Sequence, residues 1–284
     1  MYSNMRIGIV GNGFVGKSMT LFRPHVEVLV WDIDPSKREP ISLSYKEFAN
    51  TCQLIFIAVP TPMRGDGSCD MSIVTSVVQD LKQVTQANKI VIRSTVPPGT
   101  SDRLGVSFIP EFLTEKNWED DFRNCKQWIL GSSDKTTETK VKQLFDIGYA
   151  DGKGCVATSS VIVTDTKVAE MIKYGKNCFL STKVSFFNEL YDICQELGCD
   201  FSKVRKFVCD DDRIGHGHSK VPGHDGKRGF GGTCFPKDMN ALKFFAETLG
   251  VDSILIASAI ERNETIDRPE KDWQNDKGRA VSDE

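Results

Sequence analysis

Residues 229–238 read GFGGTCFPKD, and the thiol of Cys234 in that run is placed for chemistry rather than for packing. A packing cysteine has apolar neighbours. This one follows glycine-rich backbone and precedes a lysine and an aspartate within one helical turn. Pro236 suits the first turn of a helix whose apolar spacing covers 236–249, so Cys234 falls at or just before that helix's N-terminus. There the helix dipole and Lys237 favour the thiolate. Asp238, four residues on, opposes it but can orient water or take a proton.

Other chemistry-bearing residues come in pairs. Lys173 and Asn177, in KYGKN, are spaced i and i+4 and share one helix face, an ammonium and an amide able to hold an oxygen-bearing substrate. Spacing alone favours a solvated polar face, but the flanking Val168, Met171 and Ile172 suit a helix packed against protein. In FIPEFLTE, Glu111 and Glu115 could serve as general base and cofactor contact, or be surface charge, the reading that spacing alone favours. His216, His218 and His224 have no carboxylates or thiols at ligand spacing, so no metal is expected.

The segment GIVGNGFVGKS places Gly11, Gly13 and Gly16 in G-x-G-x-x-G spacing between a strand and a helix, with Asp32 closing the next strand. That order predicts a dinucleotide site: Gly11 for the tight turn, Gly13 for close approach to the pyrophosphate, and Gly16 for helix–strand packing. Asn12, Phe14 and Val15 complete the loop. Asp32 should accept from the adenosine ribose hydroxyls and favour NAD over its 2′-phosphorylated form, although Lys37 and Arg38 nearby act the other way. The loops AVPTP and STVPPGT also leave strand ends and offer the hydroxyls of Thr61 and Thr95 toward the cofactor, or their prolines merely end the strands.

These residues need a scaffold, and the pattern supplies one. Near-continuous apolar runs at 5–10, 26–31, 53–59, 89–95 and 106–109 alternate with helical stretches such as 71–86. That predicts an α/β fold with a doubly wound, Rossmann-type parallel sheet, the NAD-binding domain, over 1–163. From 164 to 266 the texture becomes helical, with one helix longer than thirty residues that Asp165 or Thr164 could cap and Gly198 could end. Residues 267–284 are polar and read as a loosely held tail. A net charge of −3 over 284 residues invites neither nucleic acid nor an anionic membrane. No apolar run has the length of a membrane span, and the N-terminus has no leader pattern, so a cytoplasmic protein is expected. Nine scattered cysteines without a C-x-x-C pair argue against a disulfide framework.

Taken together, GIVGNGFVG, AVPTP, STVPPGT, PEFLTE, KYGKN, DDRIG and GFGGTCFPKD resemble the UDP-glucose/GDP-mannose dehydrogenase family, in family order over nearly the whole chain. The resemblance implies an NAD-dependent, four-electron oxidation of a nucleotide-sugar's primary alcohol to a carboxylate, with UDP-glucose as the default substrate. Cys234 would carry a thiohemiacetal and then a thioester. Lys173 and Asn177 would stabilise oxyanion charge, Asp238 and Thr95 would manage water, and Glu111 would be the base for hydrolysis. Thr61, Glu115 and Lys237 would contact NAD. Phe112, Leu113 and the loop from Gly223 to Gly232, including Lys227, Phe230 and Gly231, would hold the nucleotide-sugar. Arg213 would reach into a neighbouring subunit's site, implying a homodimer built on the long helix.

Two stretches differ from the family's usual wording: GNGFVG and FIPEF keep the glycines and the glutamate but change their neighbours. The chain also ends before the third domain that covers the base in typical members, and its polar end reads as that of a naturally short member. Two rival readings remain open here. A β-hydroxyacid dehydrogenase would perform one two-electron step and need no cysteine. A non-catalytic NAD-binding module would have no chemical reason to keep Cys234, Lys173, Asn177 and Asp238 together.

Overall fold

The computed structural model describes residues 3–283. Its first unit comprises the residues through Thr61 with Met71–Lys173, and its second comprises Pro62–Asp70 with the residues from Tyr174 on.

In the first unit, near-continuous apolar runs become strands, most of them buried: β1 (Arg6–Val10), β2 (Glu27–Trp31), β3 (Leu54–Ile57), β4 (Ile90–Ile92), β5 (Ser107–Phe108), β6 (Trp128–Gly131) and the less covered β7 (Val161–Thr164). The helices between them are α1 (Phe14–Met19), α2 (Tyr45–Thr51), α3 (Ser72–Val84), α4 (Thr100–Leu104), α5 (Trp118–Arg123) and α6 (Lys135–Tyr149). The sheet order is β2-β1-β3-β4-β5-β6-β7. Because β2 and β3 flank β1 on opposite sides, the loops after β1 and β3 part, which opens the crevice where such sheets take ligands.

Strand alternation splits the core in two. One face buries Ile7, Ile9, Phe56 and Val91 against Phe22, Phe122, Trp128 and Phe145. The other buries Ile55, Ile57, Ile92 and Phe108 against Phe48, Val78 and Leu81.

The Rossmann-type architecture and the long helix are as expected, with two differences. The sheet is mostly rather than wholly parallel: β6 runs antiparallel to β5, with Phe108 opposite Gly131. The strand β7 had no counterpart in the sequence reading; it pairs parallel to β6, and its residues are only partly covered.

The long helix is α7 (Thr166–Glu196), followed by α8 (Phe201–Cys209), α9 (Phe235–Thr248) and α10 (Ile254–Arg262). Asp165 caps α7 by accepting from the Val168 N–H at 2.9 Å. At its other end Gly198, in the left-handed region, donates to Gln195 O and Cys199 donates to Cys194 O, which closes the last turn.

Residues 267–283 depart from the expected loose tail, whose last residue, Glu284, lies outside the described residues. Trp273, Ala280 and Val281 are buried and pack with Met63, whose N–H donates to Ala280 O while its O accepts from Ser282 N. Its charges are paired rather than solvated, as Arg268 with Asp225 and Asp272 illustrates. Among the described residues no helix is long and apolar enough to cross a membrane.

Candidate active site

The glycine loop forms where β1 hands over to α1. Gly11 has φ +95, and a Cβ there would lie 2.4 Å from Ala58 O; one on Gly16 would lie 1.9 Å from Gly11 O. Both positions therefore exclude any larger residue. Around Gly13 a Cβ would meet nothing within 4 Å, which leaves open space beside the α1 N-terminus. Asp32 ends β2 and accepts from Asn12 N at 2.7 Å and Asp34 N at 2.9 Å, so its carboxylate is fixed beside the loop. The Asn12 amide donates to Lys37 O, and the Lys37 ammonium is exposed, 3.6 Å from Asp34. Phe14 and Val15 open α1. Thr61 and Thr95 follow β3 and β4 and are buried. A tight turn, an open glycine and an anchored carboxylate fit a dinucleotide.

The same unit holds a buried ion pair. Lys173 on α7 places Nζ 2.6 Å from Glu111 Oε1 and donates to Glu111 O at 2.6 Å, while Glu111 Oε2 accepts from Leu113 N at 2.8 Å. Burial pushes the Glu111 carboxyl up, but Lys173, the Leu113 N–H and Arg93 together bring it below the usual glutamate range. Glu111 is therefore not the surface charge that spacing alone favours. The Lys173 ammonium also lies 5.5 Å from the ring centroid of Phe112. Phe112 and Leu113 are half-buried, and Glu115 is exposed.

In the second unit Cys234 is the residue before α9, and the Asp238 N–H donates to its carbonyl at 2.9 Å. Pro236 sits in the first turn, where no N–H is needed. The thiol is half-buried, with Thr233 Oγ1 at 3.7 Å. Asp238 is buried and doubly held: Asn177 Nδ2 donates to Oδ2 at 2.6 Å and Lys237 Nζ to Oδ1 at 2.5 Å. Burial opposes the charge on Lys237, yet Asp238, Cys234 and Cys69 outweigh it and hold the ammonium above the usual lysine range. A thiol at a helix N-terminus beside a fixed carboxylate can serve as nucleophile with water positioned nearby.

The loop that precedes Cys234 is built by residues that the sequence reading passed over. Asn263 brackets Phe230, accepting from its N–H at 2.8 Å and donating to its O at 2.9 Å. Arg268 packs where a Cβ on Gly231 would lie 2.4 Å from its guanidinium carbon. Gly223 N donates to Lys227 O, and the Lys227 ammonium pairs with Asp272 at 2.8 Å. Arg213 is exposed and pairs with its own neighbour Asp211 at 2.5 Å. Glu170, on α7, was also passed over. It is buried and accepts from Gly99 N at 2.5 Å and Ser101 N at 2.8 Å, clamping the loop that carries Thr95. Its spacing from Lys173 on α7 was the available signal. No cluster of three or more candidate metal ligands occurs among the described residues.

Comparison with known proteins identifies the two domains that carry these residues. Residues 37–147 match the NAD binding domain of the UDP-glucose/GDP-mannose dehydrogenase family, and residues 167–265 match its central domain. The first match identifies NAD as the cofactor of the glycine-loop domain. The chain is 34% identical over 263 residues to a UDP-glucose 6-dehydrogenase of Pseudomonas aeruginosa, covering 86% of this chain and 56% of that one. A putative UDP-glucose 6-dehydrogenase of Bacillus subtilis is 31% identical over 304 aligned residues, which span 92% of this chain and 68% of the relative. Among solved structures, a UDP-glucose dehydrogenase from the archaeon Pyrobaculum islandicum superposes with a TM-score of 0.79 at 25% identity, over 92% of this chain and 68% of that one. The chain thus spans about half to two thirds of the length of these relatives. With both domain models matched in order, the chain belongs to the UDP-glucose/GDP-mannose dehydrogenase family.

Proposed function

We propose that the protein oxidises the primary alcohol of a nucleotide-sugar, UDP-glucose in the first instance, to the carboxylate. The observation that carries this reading is Cys234 at the head of α9 with Asp238 one turn on, tied to Asn177 and Lys237. A dehydrogenase that stops after one two-electron step has no use for that thiol. When bound, NAD would accept one hydride in each of two oxidations, alcohol to aldehyde and thiohemiacetal to thioester, with the hydroxyl proton released to solvent each time.

The remaining work belongs to side chains. The Cys234 thiol adds across the aldehyde C=O: sulfur bonds to carbon, the S–H bond breaks, and its proton passes to the carbonyl oxygen, which becomes the hydroxyl of a thiohemiacetal. Lys173 and Asn177 stabilise oxygen as negative charge develops on it. Once the thioester has formed, Glu111 takes a proton from water as the water oxygen bonds to the acyl carbon; Cys234 then leaves as thiolate and the carboxylate is released. Asp238 and Thr95 orient that water. Asp32 holds the adenosine ribose of NAD, with Thr61, Glu115 and Lys237 as further contacts. Phe112, Leu113, Lys227, Phe230, Gly231 and the turn at Gly223 hold the nucleotide-sugar.

A second copy of the chain completes the functional unit. Phe179, Phe186 and Ile193 recur every seven residues along α7 and are exposed, at 68%, 59% and 49%. A recurring exposed apolar stripe on a helix suits pairing with its equivalent in another subunit. Arg213 then serves the partner's substrate.

Incubation of the purified protein with NAD and UDP-glucose, with mass spectrometry of the nucleotide product, tests this reading. The expected product is UDP-glucuronate. Absence of any oxidised sugar from UDP-glucose, GDP-mannose and other UDP-sugars would overturn it.

A further inference from the structure

Arg93 is the first residue after β4 and is buried to 1% exposure, yet none of its three guanidinium nitrogens has a hydrogen-bond partner among the described residues. Its backbone N–H donates to Ile57 O at 2.8 Å and so continues the sheet. Alternation puts its side chain on the face of Val91, and the guanidinium lies 5.6 Å and 6.0 Å from the ring centroids of Phe122 and Trp128 on that face. Ile109 N donates to Ile92 O at 2.9 Å, and Ile109 packs on the same face; Glu111 follows it by two residues. One end of the sheet therefore gathers Arg93 and Glu111, with Lys173 Nζ 2.6 Å from the carboxylate. Lys173 pairs directly with that carboxylate, and Arg93 acts on it electrostatically without a hydrogen bond. Lys173 alone already neutralises it, so the arginine is surplus to the pair as it stands.

We propose that Arg93 is a positioning residue that keeps Glu111 ionised when Lys173 turns from it to the substrate oxygen. The inference rests on the roles given above to Glu111 and Lys173. Once the ammonium leaves, burial would drive the carboxyl to take up a proton and end its use as a base. A second fixed cation prevents this. Burial pushes Arg93 down to about 10, with Glu111 and then Cys125 acting in the other direction, so it remains a cation at neutral pH. The groups that act on Glu111 are Lys173 from α7, the Leu113 N–H from its own loop and Arg93 from the end of β4. With no hydrogen bond to lose, Arg93 acts through its field, and a lysine should replace it in part.

The test is a carboxyl titration by NMR on protein carrying 13C-labelled glutamate, the Glu111 resonance being assigned by its loss in Glu111→Gln. In Arg93→Met the Glu111 midpoint should rise by about one pH unit or more, and in Arg93→Lys it should return most of the way. An unchanged midpoint in a folded Arg93→Met protein would overturn the proposal. If Arg93→Met does not fold, Lys173→Met decides: Glu111 should stay ionised at pH 7 while Arg93 remains, and a neutral Glu111 there would be equally fatal. The acid limb of the kcat profile with UDP-glucose and NAD should move upward with the titration. The titration needs no turnover, so an inactive protein would count against the proposed reaction and leave the result on Arg93 standing.

Discussion

Asp238 has both carboxylate oxygens held, one by an amide and one by an ammonium. Replacing Asn177 by alanine frees Oδ2 and removes the proposed oxyanion donor at once. We expect kcat to fall by about 10²–10³-fold with a smaller change in KM, measured by steady-state NADH formation. Cys234→Ser separates two chemistries: a single-step dehydrogenase would keep its rate, whereas here complete oxidation should be lost. Glu111 makes a prediction about stability. Its folded value lies below its unfolded one, so its contribution is present above the unfolded value, about 4.3, and is lost as pH falls through the lower folded value. Thermal melts should thus drop more steeply below about pH 4.3 in the natural protein than in Glu111→Gln; parallel curves would refute the linkage.

At the scale of elements, the glycine loop separates packing from ligand space. Gly16→Ala must displace backbone and should prevent folding or cost several degrees of Tm. Gly13→Ala has room for its methyl and should change stability by only about 1 kcal/mol or less, while raising the KM for NAD. Calorimetry and NAD kinetics on the two variants check the contrast. The buried strands and α7 were legible because their apolar periods are unmixed, and Cys234, Pro236 and Asp238 were legible because a helix start has its own chemistry. The edge strand β7 was not, since a short, half-covered run has too few buried residues to declare itself. Nor was the docking of 267–283. Arg268 and Asp272 read as solvated charge until the fold sets them against each other, and Trp273 is a lone apolar residue whose burial depends on Met63, far away in sequence. Trp273→Ala should destabilise the protein by about 3–5 kcal/mol, as followed by urea unfolding; a change near zero would restore the loose tail. Arg93 stayed silent for a similar reason, because its neighbours are set by strand register rather than by spacing.

At the scale of the whole molecule, the exposed stripe on α7 predicts self-association. Phe179→Glu with Phe186→Glu should convert a dimer to a monomer in sedimentation equilibrium, with little change in the melting of the first unit. A monomeric natural protein at micromolar concentration would remove the partner's Arg213 from the site. The number of electrons taken from each sugar is read from the moles of NADH formed per mole of limiting UDP-glucose at completion. Two NADH per sugar is the predicted result if, as proposed, the thiol of Cys234 carries the aldehyde through a second oxidation. A yield of one, unchanged in Cys234→Ser, would contradict the account.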